Sequence, residues 1–201
     1  MKTPQQRNLG LSFVDALAAL TIVAVLAALL WPIVRSAKER FQDAQCMTKL
    51  RQYGVALSQY RYDNGGYGNY GDPYAMALTG ADKLLDGGYL DAELLRCPYH
   101  ARGQYDYVGF LDQRGEAYRE ALSAYFAYWK DDGIVRADFN HNPYPANDLG
   151  SPYLSRKAIG LFLGGHVRLV RKMGNPADWS FWHDQHEYWR FASQFSQEAQ
   201  P

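Results

Sequence analysis

An α+β fold is predicted for this chain: a long N-terminal helix, apolar in its first half and amphipathic in its second, packed on a small antiparallel sheet. Three observations predict it. Near the N-terminus runs an uncharged stretch of 19 residues; apolar residues recur beyond it at helical spacing; and the second half of the chain holds alternating segments punctuated by glycine. The 201 residues suffice for one folded domain with appendages, and 47% hydrophobic and 15% aromatic residues exclude a disordered or collagen-like chain. An even balance of 21 Lys+Arg against 21 Asp+Glu argues against a nucleic-acid partner, because neutralising phosphates takes an excess of positive charge.

The first element is ALAALTIVAVLAALLWPIV, residues 16–34. At the helical rise it spans about 28 Å, the hydrocarbon thickness of a bilayer, and no second stretch approaches it. Lys2 and Arg7 precede it while Arg35, Lys38 and Arg40 follow, so positive charge leaves the orientation open. A short head is a poor candidate for translocation and a long folded domain crosses largely regardless of charge, which places the head inside. A cleaved secretory signal, a generic signal anchor and an assembly helix compete for this segment. The first fits badly, because the run is too long and passes into RSAKERFQDAQ, which reads as continuing helix.

Pro32 removes a backbone donor and frees the carbonyl of Ala28, so a kink or loosening is predicted there. Helical spacing then resumes with Val34, Ala37, Phe41 and Ala44, followed by Cys46, Leu50, Tyr53, Leu57 and Tyr60. A helix over residues 11–62 would be about 80 Å long, half in lipid and half packed by one face on the soluble domain. NGGYGNYGDPY is a turn-forming loop and Gly87-Gly88 a further break. QYDYVGFL is predicted as a strand, RGEAYREALSAYFAYWK as an amphipathic helix and GIVRADF as a second strand. AIGLFL and HVRLVR are predicted to pair as a hairpin through a two-residue turn, Gly164-Gly165.

Gly10, Leu11, Ser12, Phe13, Val14 and Asp15 place a glycine between a basic head and the apolar helix, with a single acid five residues on. This resembles the prepilin processing motif of type IV pilins and type II secretion pseudopilins. The resemblance implies a pilin-like fold, cleavage after Gly10 by a prepilin peptidase on the cytoplasmic face, and methylation of Leu11 as the mature N-terminus. These families usually begin with Phe and carry Glu as the fifth mature residue; Leu11 and Asp15 are conservative departures, and Pro32 falls on the family's common proline. The resemblance further implies that Asp15 pairs with the mature amine of a neighbouring subunit. A carboxylate within a bilayer costs about 2.5 to 3.5 kcal/mol and calls for a partner. The bland alternative is a capping box of Ser12 and Asp15 at the helix start. A second resemblance to large pilin-like families runs through CMTKLRQYGVALSQYRYDNGGY, GYL at 88–90, LRCP at 95–98 and FLGGHV at 162–167, where Gly164 stands in the place of the family's usual Asp.

With export implied, the only two cysteines, Cys46 and Cys97, would sit in an oxidising compartment. A bridge between them closes a loop of about fifty residues, worth about 4 kcal/mol in the chain-entropy model; two separate buried thiols are the other reading. Their spacing excludes a CxxC site, and no metal or cofactor is expected. Asp138, Asn140 and Asn142 suggest a calcium loop, with Asn147 and Asp148 as further oxygens. Pro143 and Leu149 stand where such a loop needs Gly and Glu, so a solvated loop is predicted. His183, Asp184, His186 and Glu187 are predicted on the solvated face of an aromatic helix whose Trp179, Trp182 and Trp189 pack inward or on a partner.

No nucleophile elbow, phosphate loop, HExxH or dinucleotide motif occurs, so no enzymatic activity is expected. The organisation predicted is a leader over 1–10, a membrane and assembly half of the helix over 11–34, its amphipathic half over 35–62, and an exported globular domain over 63–201. The expected function is structural: a single-pass inner-membrane subunit, N-terminus cytoplasmic and domain periplasmic, that joins other pilin or pseudopilin subunits in a filament. The alternative is a membrane-tethered periplasmic binding module or adhesive minor pilin, since sixteen tyrosines suit a binding surface as well as a core.

Overall fold

The computed structural model describes residues 13–95, 108–109, 116–139, 141–142 and 154–198. The chain divides into two compact units, Met1–Phe41 and Gln42–Pro201. A single helix, α1 (Phe13–Asp63), runs from the first into the second and continues through Pro32. Its N-terminal part is long and apolar enough to cross a membrane, and none of that window is buried. Asp15 lies in the first turn, where a negative charge meets the positive end of the helix dipole.

In the second unit the face predicted from helical spacing is buried from Cys46 onward: Cys46, Leu50, Tyr53 and Leu57 lie in the core, while Ala44 is exposed. The helix stops because Gly65 adopts a left-handed conformation (φ +72). The Gly65 amide then donates to the Tyr62 carbonyl and the Gly66 amide reaches back to that of Arg61 (2.7 Å), a Schellman closure of the last turn. The following loop is tied to this end by Arg61, which is buried; its Nε donates to the Met76 carbonyl (3.0 Å) and its Nη2 to those of Gly66 and Asn69. After the short helix α2 (Ala81–Asp86) comes a 3-10 turn at Ala92–Leu95.

The sheet is antiparallel in the order β1-β2-β3-β4, with β1 (Val108–Gly109), β2 (Ile134–Asp138), β3 (Ser155–Phe162) and β4 (Val167–Met173). Of the segment predicted as the first strand, Val108 and Gly109 are described and pair with Ala137 and Arg136. Helix α3 (Glu116–Trp129) precedes β2 and buries Leu122, Tyr125, Phe126 and Trp129, one stripe at helical spacing. Strand β4 is an outer strand and carries Arg168, Arg171 and Lys172.

The hairpin of β3 and β4 forms as predicted, but its turn is one residue longer. The Phe162 amide bonds the His166 carbonyl and the Gly165 amide the Phe162 carbonyl, so Leu163, Gly164 and Gly165 make the loop. A two-residue turn of the I′ type needs positive φ at both centres; here Gly165 has it (+82) and Gly164 does not, which gives the three-residue form. Gly164 also packs on the Asp131 backbone, and a Cβ there would lie 2.9 Å from that of Asp131, leaving no room for an acid.

The aromatic segment near the C-terminus forms two helices, α4 (Trp179–Trp182) and α5 (Gln185–Glu198). They part because Asp184 starts a new helix: its Oδ1 accepts from the His186 amide (2.9 Å) and its carbonyl from that of Tyr188. Trp182 is buried over Gly160, Trp179 stacks on Tyr125 (4.4 Å), and Trp189 faces outward.

Candidate functional site

A buried polar cluster lies where α1 meets the end of β2. Asp43 and Cys46 are three residues apart on α1, and Asp138 and His141 three apart at the strand end, so each pair presents neighbouring side chains. The His141 side chain, 4% exposed, sits between two carboxylates: Nδ1 is 3.1 Å from Asp43 Oδ1 and Nε2 is 3.2 Å from Asp138 Oδ2. Lys157 of β3 donates to the same Asp43 oxygen (2.7 Å). A protonated imidazole donates to both acids; a neutral one donates through a single nitrogen. Ligand atoms of Cys46, Asp138 and His141 fall within 4.8 Å of one another, a set able to hold a metal ion.

This corrects the solvated loop predicted around Asp138. Asp138 is 1% exposed, and the Asn142 side chain is bound on both sides, its amide donating to the carbonyls of Phe139 (2.7 Å) and Lys157 (2.8 Å) and its oxygen accepting from the Lys157 amide. Burial follows from the strand pairing: Asp138 pairs with Ile159 inside the sheet, which draws the next turn under α1. Asn140, Asn147 and Asp148 lie outside the described residues, as do Gly10, Leu11, Ser12 and Cys97. Asp15 and Pro32 are exposed on α1.

A second buried group corrects the expectation of a solvated His183. The break between α4 and α5 turns His183 inward, where it stacks on Trp129 (3.6 Å) and its Nε2 meets the Tyr125 hydroxyl at 2.6 Å. That hydroxyl also accepts from the Ile134 amide (2.8 Å), so its proton points to His183. Burial, reinforced by Arg168 and Lys172, lowers the His183 pKa to about 3, and burial likewise raises that of Tyr125. His183 therefore stays neutral in the fold and charges only on unfolding, with an unfolded pKa near 6.5. Stability tied to it is complete above that value and lost as pH falls toward 3, about 2 kcal/mol between pH 7 and pH 5. Chemical denaturation at the two pH values should give a His183→Gln variant, which keeps an acceptor for Tyr125, a drop smaller than the parent's by about that amount.

Sequence reasoning missed the Asp43–His141–Asp138 arrangement. Its available signal was the D-x-x-C step on the amphipathic face of α1, which aims an acid and a thiol at the same side of the helix.

Fold and cluster together define an α+β protein with an antiparallel sheet and an N-terminal helix long and apolar enough to cross a membrane. No protein-family model, curated protein or solved structure matches the chain.

Proposed function

We propose that this chain is a non-enzymatic structural subunit of a type IV pilus or type II secretion pseudopilus, cut after Gly10 and assembled through α1. The supporting observation is a single acid, Asp15, in the first turn of a helix whose apolar half is exposed side chain by side chain, from Phe13 (78%) to Val34 (59%). Apolar surface of that extent is stable in lipid or against other helices. On this reading the one carboxylate within it receives the Leu11 amine of a neighbour as helices bundle. The partners on this reading are a prepilin peptidase, further pilin-type subunits and the inner membrane. Mass spectrometry of the purified protein is expected to find the chain beginning at Leu11 with one added methyl group. A retained Met1, or a cut near the far end of the apolar run, would overturn the reading.

A second reading is favoured by Tyr62, Tyr67 and Tyr74, each at least 65% exposed and gathered in the segment that ends α1 and follows it. These rings suit an adhesive minor subunit or tethered binding module. Abundance in sheared filaments supports the first reading; retention in the membrane fraction supports the second.

A further inference from the structure

We propose that Cys46, Asp138 and His141 form a zinc site that clamps α1 to the end of β2, with Asp43 orienting the imidazole. All three groups are held inside the fold: Cys46 is 0% exposed and Asp138 1%, and the His141 side chain is 4% exposed. Thiolate, imidazole and carboxylate are the three ligand types that zinc takes, and a buried mixed set selects it over the oxygen-seeking calcium and magnesium.

The geometry accommodates an ion. The Nε2 to Oδ2 separation is 3.2 Å, within hydrogen-bond range and also close to the edge of about 3.3 Å that a tetrahedral ion with 2.0 Å bonds spans between two ligands. On the far side of the ring, the Asp43 carboxylate lies 3.1 Å from Nδ1. With Asp43 accepting from Nδ1–H, Nε2 is the ligand atom of the imidazole, the carboxylate–histidine–metal relay of zinc sites. Lys157 holds Asp43 in turn, through Nζ at 2.7 Å. Charge also balances, since one thiolate and one carboxylate offset the two charges of the ion among buried groups. Three protein ligands leave a fourth position for water or a further oxygen. The role we assign is structural, because the cluster bridges elements whose ligands are separated by nearly a hundred residues of chain.

The test uses the full chain in detergent, stripped with chelator and titrated with zinc, and with cobalt as a spectroscopic stand-in. One zinc per chain is expected, together with a near-ultraviolet thiolate-to-cobalt band that disappears in Cys46→Ser and persists in Cys97→Ser. Asp43→Asn is expected to weaken zinc binding about 10- to 100-fold while the band remains. Sub-stoichiometric zinc, or a band that survives Cys46→Ser, would overturn the proposal. So would a Cys46–Cys97 bridge in protein alkylated at harvest. Should Cys46→Ser fail to fold, Cys97→Ser, in which Cys46 is the one remaining thiol, decides: a cobalt band there supports the site and its absence refutes it.

Discussion

Asp15→Asn is expected to be inserted, cleaved after Gly10 and folded normally, and to be excluded from filaments. Asn serves nearly as well as Asp at a helix N-terminus, so the first turn of α1 loses little. Assembly is another matter under the proposed reading, because a neighbour's N-terminal ammonium then has no counter-charge in lipid. Leaving one partner of a buried pair alone costs about 3 to 5 kcal/mol, roughly a hundredfold or more in association. Cross-linking at matched expression reads the result directly. Mutant oligomers as long as those of the parent would return Asp15 to a purely local role in the first helical turn.

Arg61→Met is expected to cost about 4 kcal/mol, a large share of the 5 to 15 kcal/mol that holds a typical domain together. Met matches the aliphatic stem and keeps the packing, so the loss reports the guanidinium. The carbonyls of Met76, Gly66 and Asn69 all accept from it, and a bond from a charged donor contributes about 1.5 to 3 kcal/mol. No substitute donor fits easily. Gly66 presses on the Met76 backbone so closely that a Cβ would come within 2.2 Å, which shows how little the loop can shift. Burial lowers the Arg61 pKa, while Tyr70, Asp131 and Tyr67 act in the opposite sense, so the charge is held against a desolvation cost. Arg61→Lys, with one ammonium in place of a planar fork, should recover less than half of the loss. Denaturant midpoints of the three proteins at one pH check the order; equal midpoints for Arg61→Met and parent would show that the loop holds without its strut.

The elements that could be read from sequence are those whose signal is local. Leu122, Tyr125, Phe126 and Trp129 repeat at 3.6 residues, and α3 follows. The hairpin was legible in its two strand-forming runs and its glycines, although β3 is buried on both faces and the left-handed residue is Gly165 alone of the glycine pair. The cluster around His141 was not legible, because Asp43 and Asp138 approach each other only through the pairing of β2 with β3 and the seating of α1. The D-x-N-x-N spacing of residues 138–142 points to Asn140 and Asn142 as oxygen donors and carries no signal for His141. His183 failed for a nearer reason. The aromatic pattern predicts continuous helix through Asp184, whereas that side chain starts α5 and turns the preceding histidine into the core.

The place of Phe191 in the chain bears on how this protein is made. Its ring is buried against Tyr128 (5.3 Å), Tyr125 (6.1 Å) and Trp129 (6.5 Å) of α3, so one of the last residues described completes the aromatic core. Synthesis delivers the chain from its N-terminus at about 5 to 20 residues per second. α3 thus waits several seconds for its partner, with Tyr125 and Trp129 uncovered while sixty residues are still to come. Over that interval the nascent polypeptide keeps an incomplete hydrophobic interior, which leaves it pliable and also open to chaperones and proteases until Phe191 has been made.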